Sequence, residues 1–278
     1  MAGESRSDQA VSAHPGAAKC ATHKDVSLTF DESRRPTALD ACSAVFLDVD
    51  GTLLEIAPRP DLVRVPPGLP ALLVRRAQQR SGALALISGR PLSQLDRLFY
   101  PWHGAAAGLH GLERRRADGT LARIRDSASE AALSRIRPKL AVLAGDGGGL
   151  VFEDKTNTIA LHYRAAPERE AEIRAVAEAL LAEAGTALRL IAGKMVVEFQ
   201  PAAIHKGLAI ATFLAEPPFV GRRVVFVGDD TTDEDGFAEI RRRDGIAIRV
   251  GASGATGANY RFPSVAAVLD WLADIGLP

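Results

Sequence analysis

The sequence predicts an α/β fold, in which a parallel sheet flanked by helices carries a second, α+β module as an insertion. The first observation is that short, continuously apolar runs at residues 44–47 and 83–87 alternate with helical segments at 68–80 and 91–99. Strand, helix, strand, helix in this order is typical of parallel strands joined by right-handed crossovers. The second observation is that this alternation stops and then returns near the C-terminus, beginning with a helix at 205–215.

The C-terminal part completes the predicted sheet. The run VVFVG at 224–228 has the continuous apolar character of a strand buried on both faces. A second strand is predicted at 246–250, and helices are predicted at 234–243 and 264–275. The two α/β stretches therefore belong to one domain that the chain leaves and re-enters.

The middle of the chain reads as an α+β module with a small antiparallel sheet. Its predicted elements are helices at 127–143 and 168–184 and strands at 150–153, 158–163, 188–191 and 195–199. We expect residues 41–112 and 202–278 to form the sheet domain and 113–201 to form the insertion. Residues 1–40, rich in Ala, Ser, Gly and charged side chains, are expected to be a flexible tail.

Composition excludes several classes of protein. The chain has 278 residues with 34 basic and 34 acidic side chains, and this balance argues against a large nucleic-acid interface. No run approaches the roughly 18 to 20 apolar residues that a membrane span requires. Two cysteines, Cys20 and Cys42, are too few for a disulfide framework and indicate free thiols in a reducing compartment. We therefore expect a cytoplasmic protein without a nucleic-acid or membrane partner.

A pair of carboxylates, Asp48 and Asp50, follows the first predicted strand directly. Residues at i and i+2 at the end of a strand can converge on one cation, and Gly51 allows the sharp turn that this requires. The alternative is an Asp-rich turn at the start of a helix. The position of D-x-D-G-T immediately after a buried strand favours a site over a turn.

A second acidic cluster, Gly228-Asp229-Asp230-Thr231-Thr232-Asp233-Glu234-Asp235, follows the strand at 224–228. A divalent cation would offset this concentration of charge, and hard oxygen ligands favour Mg²⁺ over zinc. The favourable interaction of acids with a helix N-terminus accounts for two or three of these residues. It does not explain why both acidic clusters end apolar strands.

Two further features suit an anion. Ser88-Gly89-Arg90 follows the second strand, where a hydroxyl and backbone N–H groups at a helix start can bind phosphate. Lys206, one of only six lysines, opens the helix that follows the inserted segment. Taken alone, the first motif is as typical of a turn with a helix cap, and Lys206 is more typical of a solvated surface lysine.

Together these four features, in this order, resemble the haloacid-dehalogenase superfamily of phosphohydrolases. Further stretches are similar to those of its trehalose-6-phosphate phosphatase family: GLHGLERR (108–115), LHYRAAP (161–167), GKMVVEFQP (193–201), HKG (205–207) and GDDTTDED (228–235). The resemblance covers about residues 43–275. It implies a Rossmann-like parallel-sheet hydrolase core with an inserted α+β cap domain. It also implies Mg²⁺ as cofactor and the small-molecule sugar phosphate trehalose 6-phosphate as substrate.

The resemblance also implies roles for the acidic residues. Asp48 would attack phosphorus and form an aspartyl-phosphate, while Asp50 would protonate the leaving sugar oxygen and later take a proton from water. The Asp48 carboxylate, the Asp50 backbone carbonyl and Asp229 would bind Mg²⁺. Asp233 would position Lys206 or bind a metal-bound water, with Asp230 as an additional partner.

The remaining candidates bind the substrate. Ser88, Gly89 and Lys206 would hold the phosphate, where electrostatic stabilisation dominates. Lys194 and Glu198 lie four residues apart along a predicted strand and so share a face that could meet sugar hydroxyls. Arg90 is a further candidate. The others are His110, Glu113, His162 and Arg164, and each of these taken alone is more typical of a structural residue. The arginines at 114–116, with Arg123 and Arg125, form either a solvated face or a field that attracts an anionic substrate.

Three alternatives stay open from the sequence. A related sugar phosphatase, such as one acting on sucrose phosphate, or a phosphomutase of the same superfamily would share the motifs. A non-catalytic phosphosugar sensor is disfavoured because both Asp48 and Asp50 are present. A receiver-like signalling domain is disfavoured by the insertion and by Asp50. We expect a monomer, with a cap that closes over the site.

Overall fold

The computed structural model describes residues 39, 42–57, 62–145, 148–193, 195–251 and 254–275. The expected tail, except Leu39, therefore lies outside the described residues. The first elements are β1 (Ser43–Leu47), α1 (Leu69–Gln79), β2 (Leu84–Ile87), α2 (Leu92–Phe99), β3 (Ala105–Gly108), β4 (Glu113–Arg115) and β5 (Leu121–Arg123). The middle elements are α3 (Ser127–Gly145), β6 (Val151–Asp154), β7 (Ile159–His162), α4 (Glu170–Ala184), β8 (Leu188–Gly193) and β9 (Val196–Pro201). The last are α5 (Lys206–Leu214), β10 (Arg223–Gly228), α6 (Glu234–Arg241), β11 (Ile246–Val250), β12 (Tyr260–Phe262) and α7 (Val265–Asp274).

The predicted α/β class is confirmed by an eight-stranded, mostly parallel sheet. Its strand order is β12-β11-β10-β1-β2-β3-β4-β5, and every pairing is parallel except those of β4 with β3 and with β5. The strands from the two separate chain segments meet where β1 pairs in parallel with β10. The chain therefore leaves this sheet after β5 and rejoins it at β10.

Helices cover both faces of the sheet because its central strands are apolar on both sides. On one face, Val45 and Leu47 pack with α1, α2 and α7 through residues such as Leu73, Leu95 and Trp271. On the other face, Phe46 packs with α5 and α6 in a second buried cluster. Every residue of β1 and β2 is buried, as is β10 from Val224 to Gly228, so the carboxyl ends of these strands lie in the core.

The inserted segment folds around its own core. Its antiparallel sheet has the order β6-β7-β9-β8, and α3 and α4 pack on one face of it. Residues on that face include Leu161, Val197 and Phe199. Because side chains alternate along a strand, Glu198 and its cross-strand partners Ala160 and Ile191 lie on the other face of the sheet.

Both hairpins predicted for the insertion are confirmed, as are its two helices. The sequence assigns residues 113–123 to the insertion, whereas in the structure β4 and β5 pair with the main sheet. The four-stranded sheet and its helices occupy residues 127–201. The division into domains at residues 112 and 113 stays a prediction.

Within the described residues, no helix is both long and apolar enough to span a bilayer. Cys42 is a free, half-buried thiol, and Cys20 lies outside the described residues.

Candidate active site

Three adjacent strands of the main sheet, β10, β1 and β2, end at one edge. Asp48 and Asp50 follow β1, Ser88 follows β2, and Asp229 follows β10. The carboxyl ends of neighbouring parallel strands are the usual ligand-binding edge of an open α/β sheet. The fold thus brings together the acidic pair, the acidic cluster and the serine that the sequence singled out.

Lys206 is the first residue of α5, and its side chain extends to this edge of the sheet. His205 caps that helix, with its Nδ1 accepting a hydrogen bond from the backbone N–H of Leu208 at 3.2 Å. The Lys206 ammonium is buried and lies 2.7 Å from Asp48 Oδ1 and 2.7 Å from Asp233 Oδ1. A single cation therefore joins the two acidic clusters.

The buried charges of Lys206, Asp48, Asp229 and Asp233 shift one another's pKa values. Burial alone would lower the pKa of Lys206, but Asp233 and Asp48 outweigh it and raise that pKa. Burial raises the pKa of Asp48 well above its usual value, with Asp233 and Asp229 adding to the rise and Lys206 opposing it. The lysine is therefore charged, and the nucleophile candidate lies in a site where extra positive charge would be stabilising.

Asp233 is fully engaged by the protein. Its Oδ1 accepts from Lys206, and its Oδ2 accepts from the backbone N–H groups of Asp229 and Asp230, each at 2.9 Å. Asp233 therefore shapes the loop after β10 and holds the lysine in place. This geometry is the one expected for a residue that positions Lys206.

The carboxylates can hold a metal ion. Oxygens of Asp48, Asp229 and Asp233 lie within 4.8 Å of one another. Oδ1 of Asp229 is buried, and among the described residues it has no hydrogen-bond partner. Burial and the neighbouring Asp233 raise the pKa of Asp229 to about 7. An orphaned buried oxygen in an all-oxygen donor set fits a hard divalent cation.

Gly51 makes room for this cluster. Its φ is +82°, and a Cβ at this position would lie 2.0 Å from Oδ2 of Asp229. Both the backbone conformation and the space therefore require glycine. The turn predicted after Asp50 packs directly against the candidate metal ligand.

In the loop after β2, Arg90 contacts both Ser88 and Asp50. The backbone N–H of Arg90 donates to Ser88 Oγ at 3.1 Å, and the Arg90 guanidinium binds both carboxylate oxygens of Asp50. Arg90, predicted to bind substrate, therefore contacts the candidate proton donor. Gly89, between Ser88 and Arg90 in the sequence, lines the same cavity as these two residues.

A cavity of about 760 Å³ opens above these residues, between the main sheet and the inserted segment. Its size falls within the usual range for small-molecule sites, about 300–1,000 Å³. The predicted residues that line it are Asp48, Asp50, Ser88, Gly89, Arg90, His110, Glu113, His162, Glu198, Lys206, Asp229 and Asp230. The acidic and phosphate-binding candidates thus share one cavity with residues of the small sheet, His162 and Glu198.

The upper wall comes from the open face of the small sheet. His162 Nε2 lies 3.0 Å from Glu153 Oε2, and Lys155 Nζ lies 3.5 Å from Glu198 Oε1. Burial would raise the pKa of Glu198, but Lys155 helps to hold it below its usual value. These alternating donors and acceptors suit a ligand rich in hydroxyl groups.

Glu153 and Lys155 are cavity residues that the sequence did not single out. The available signal was their spacing: they lie two residues apart, in and just after β6, the strand next to β7. Residues at i and i+2 of a strand share a face. Once the hairpin is known, they fall on the same face as His162.

The other predicted binding residues have different surroundings. Lys194 lies outside the described residues, and Arg164 is exposed and is not part of the cavity wall. Glu113 lines the cavity, but its carboxylate also accepts from the backbone N–H of Leu92 at 3.0 Å and pairs with Arg123. Its contacts are thus those of a residue that also stabilises the loop after β2.

The arginines at 114–116 all form ion pairs within the protein. Arg114 and Arg116 both pair with Glu216, and Arg115 is buried with its Nη1 2.6 Å from Asp96 Oδ1. The run is therefore neither a solvated face nor an open field toward the cavity. Arg123 is the member of this region that lines the cavity.

A parallel sheet ending in an Asp-x-Asp pair, a serine, a lysine and an acidic cluster, with a cap above, defines a phosphohydrolase of the haloacid-dehalogenase type. The sequence model of the trehalose-phosphatase family matches residues 46–265. The chain belongs to this family.

Relatives agree with this assignment, and a solved structure agrees with the fold. The chain is 44% identical to a probable trehalose-phosphate phosphatase of Sinorhizobium fredii, over 84% of this chain and 88% of that protein. It is 41% identical to the trehalose-6-phosphate phosphatase of Escherichia coli, over 84% and 86%. The C-terminal domain of trehalose-6-phosphate phosphatase from C. albicans superposes with a TM-score of 0.74 at 19% identity, over 84% and 91%, which supports the fold.

Proposed function

We propose that this chain hydrolyses trehalose 6-phosphate to trehalose and phosphate with Mg²⁺ as its cofactor, through an aspartyl-phosphate. The observation that carries the proposal is the position of Lys206, whose Nζ lies 2.7 Å from both Asp48 and Asp233 at the floor of the cavity. A buried lysine between an Asp nucleophile and an acidic loop provides both charge stabilisation and orientation for phosphoryl transfer.

In the first half of the reaction, the Asp48 carboxylate attacks phosphorus and the bond from phosphorus to the sugar oxygen breaks. Asp50 gives its proton to that leaving oxygen. In the second half, water attacks the aspartyl-phosphate, its proton goes to Asp50, and Asp48 returns as a carboxylate. Lys206 and Ser88 stabilise the phosphoryl oxygens throughout.

The residues fit a divalent metal ion at this site. The Asp48 carboxylate, the Asp50 backbone carbonyl and the Asp229 carboxylate would hold it, with Asp229 Oδ1 as the buried oxygen that lacks a partner. When bound, Mg²⁺ would offset the negative charge of the phosphate and the carboxylates. Asp233 keeps its supporting role, because both of its oxygens are already engaged.

The sugar would lie against the cap. Glu153, Lys155, His162 and Glu198 present carboxylate, ammonium and imidazole groups to the upper part of the cavity. Ring hydroxyls can both donate to the carboxylates and accept from Lys155. Family membership supports trehalose 6-phosphate over other phosphosugars with the same chemistry.

The test is phosphate release from a panel of trehalose 6-phosphate, sucrose 6-phosphate and glucose 6-phosphate, with EDTA and after Mg²⁺ is restored. We expect metal-dependent release, fastest for trehalose 6-phosphate. Asp48→Asn should abolish release while leaving the circular dichroism spectrum unchanged. Preferential turnover of another sugar phosphate would replace the proposed substrate, and metal-independent release would contradict the proposed cofactor.

A further inference from the structure

Two cap residues, Arg189 and Gln200, reach down to the core beside the active site. Arg189 stands on β8 directly opposite Gln200 on β9. Its Nη1 lies 2.5 Å from Asp235 Oδ2 in the first turn of α6, and its Nη2 donates to Gln200 Oε1 at 3.3 Å. The Gln200 side chain, 1% exposed, then places its Nε2 3.3 Å from Nε2 of His110.

The direction of these hydrogen bonds follows from chemistry. A guanidinium group only donates, so Arg189 fixes the carbonyl oxygen of Gln200 toward itself and the amide N–H₂ toward His110. His110 Nε2 must then accept. Burial and the nearby charge of Lys206 lower the pKa of His110 to about 3, which keeps the imidazole neutral. A neutral ring that accepts at Nε2 carries its proton on Nδ1.

His110 occupies an unusual place in the wall of the cavity. Leu109 and His110 have positive φ values of +49° and +57°, and the backbone N–H of His110 donates to the carbonyl of Ser88 at 2.9 Å. The ring packs over Gly89, where a Cβ would lie 2.8 Å from His110 Nε2. Strain of this kind in non-glycine residues is concentrated at functional sites.

The arrangement carries a further cost. Nδ1 of His110 is buried, and among the described residues it has no hydrogen-bond partner. An alternative tautomer would put an N–H at Nε2 against the N–H₂ of Gln200. The Nδ1–H tautomer therefore leaves the His110 Nδ1–H without a partner among the described residues, but it preserves the hydrogen bond between His110 Nε2 and Gln200.

We propose that Arg189 and Gln200 are positioning residues. From the cap, they hold the His110 ring in its Nδ1–H tautomer against Gly89. The His110 ring in turn fixes the position of the loop that carries Ser88. Asp235 lies on the other side of the site, where its backbone packs against Gly207, the residue after Lys206: a Cβ at Gly207 would lie 2.4 Å from the carbonyl oxygen of Asp235. Arg189 therefore contacts both Gln200, which packs against His110, and Asp235, which packs against the start of α5.

The first test is the state of the His110 ring, measured by long-range ¹H–¹⁵N correlation NMR on the full chain at neutral pH, with a His110→Gln variant to assign the signals. We expect a neutral ring with a protonated Nδ1 and a bare Nε2. Gln200→Glu replaces the N–H₂ by a carboxylate oxygen, so it should move the proton to Nε2. Arg189→Met frees the Gln200 amide to rotate and should give a mixture of tautomers.

The matched control is Arg174→Met, which removes an exposed ion pair with Glu170 on α4, within the cap and away from the cavity wall. It should leave the His110 signals unchanged. An Nε2–H tautomer in the native chain would overturn the proposal, and so would a Gln200→Glu spectrum identical to that of the native chain. This readout does not involve turnover, so it stands or fails separately from the proposed phosphatase activity.

The consequence for catalysis rests on the proposed function. Displacement of a positioned group by about 1 Å can cost roughly 100-fold in rate. We expect Gln200→Leu and Arg189→Met to lower kcat for trehalose 6-phosphate about tenfold or more, with a smaller change in KM. Arg174→Met should leave both constants unchanged. Equal kinetics in all three variants would show that the contact holds the cap without positioning the site.

Discussion

Arg90 holds both carboxylate oxygens of Asp50, with Nε 2.7 Å from Oδ2 and Nη2 2.7 Å from Oδ1. The same residue is anchored by its backbone to Ser88 and by Nη1 to Gln94 Oε1 at 3.2 Å. The orientation of Asp50, the candidate proton donor and acceptor, is therefore set by the neighbouring phosphate-binding loop. A planar guanidinium can form this two-point contact, whereas a lysine ammonium cannot.

Arg90→Lys should consequently lower kcat for trehalose 6-phosphate about tenfold, while Asp50→Asn should cost about 10²–10⁴-fold, the usual contribution of acid–base catalysis. The measurement is steady-state phosphate release, with thermal unfolding to confirm that the variants are folded. Arg97→Lys, at an exposed arginine of α2, the helix that follows Arg90, is the control and should behave as the native chain. An unaltered kcat in Arg90→Lys would show that the catalytic role of Asp50 does not depend on the two-point contact with the Arg90 guanidinium.

Lys206 is predicted to contribute to both activity and stability. Removing the ammonium in Lys206→Met leaves the buried Asp48 and Asp233 without their shared cation, and breaking a buried ion pair from one side costs about 3–5 kcal/mol. Loss of one group that stabilises the transition state costs about 10²–10³-fold in kcat. Urea unfolding and phosphate release measure the two effects. Lys139→Met, which removes an exposed ion pair with Glu183, should change neither by a comparable amount.

The pKa of Asp229, raised to about 7, gives the metal site a defined pH dependence. The ionised carboxylate binds the ion, so below pH 7 the metal must displace a proton, and its affinity should fall about tenfold per pH unit. Without metal, a carboxyl whose pKa is raised in the folded state stabilises the fold fully below about pH 4, and this contribution is lost as the pH rises through 7.

Thermal unfolding at pH 6, 7 and 8, with EDTA or with Mg²⁺, tests this prediction. The increase in Tm caused by Mg²⁺ should be larger at pH 8 than at pH 6. In Asp229→Asn the increase should be small at every pH. An equal increase at pH 6 and pH 8 in the native chain would mean that Asp229 is already ionised at pH 6.

The acidic motifs, Ser88 and Lys206 could be located from the sequence because each follows a buried strand or opens a helix. Their convergence also follows, since parallel strands share an edge. The strands β3, β4 and β5 could not be predicted in the same way. β3 reads AAAG and lacks β-branched residues, and β4 is ERR, whose Arg115 is buried by tertiary contacts with Asp96 and Trp102.

The contacts between cap and core were equally out of reach of the sequence. Gln200 gives no sequence signal by itself, and its contact with His110 joins residues 90 positions apart. Arg90 was expected to meet the substrate, and its contact with Asp50 depends on the relative placement of β1 and β2. Side-chain partners across elements require the register of the sheet, which periodicity does not supply.

Gly51 provides the sharpest test of the metal site, because Gly68 offers a matched control. Both have a φ of +82°, so alanine costs about 1–2 kcal/mol of backbone strain at either position. A Cβ at Gly51 would lie 2.0 Å from Asp229 Oδ2, whereas nothing lies within 4 Å of a Cβ at Gly68. Gly51→Ala should therefore displace the carboxylate that is proposed to bind Mg²⁺, and Gly68→Ala should not.

Isothermal titration with Mg²⁺ at pH 8 separates strain from displacement in these two variants. We expect native affinity and native kcat in Gly68→Ala, with a modest fall in Tm. In Gly51→Ala we expect a similar or larger fall in Tm together with a loss of Mg²⁺ affinity of tenfold or more, the usual cost of disturbing the support of a metal ligand, about 10–100-fold. Native affinity in Gly51→Ala would place the metal away from Asp229, and the acidic loop after β10 would then act only by holding Lys206.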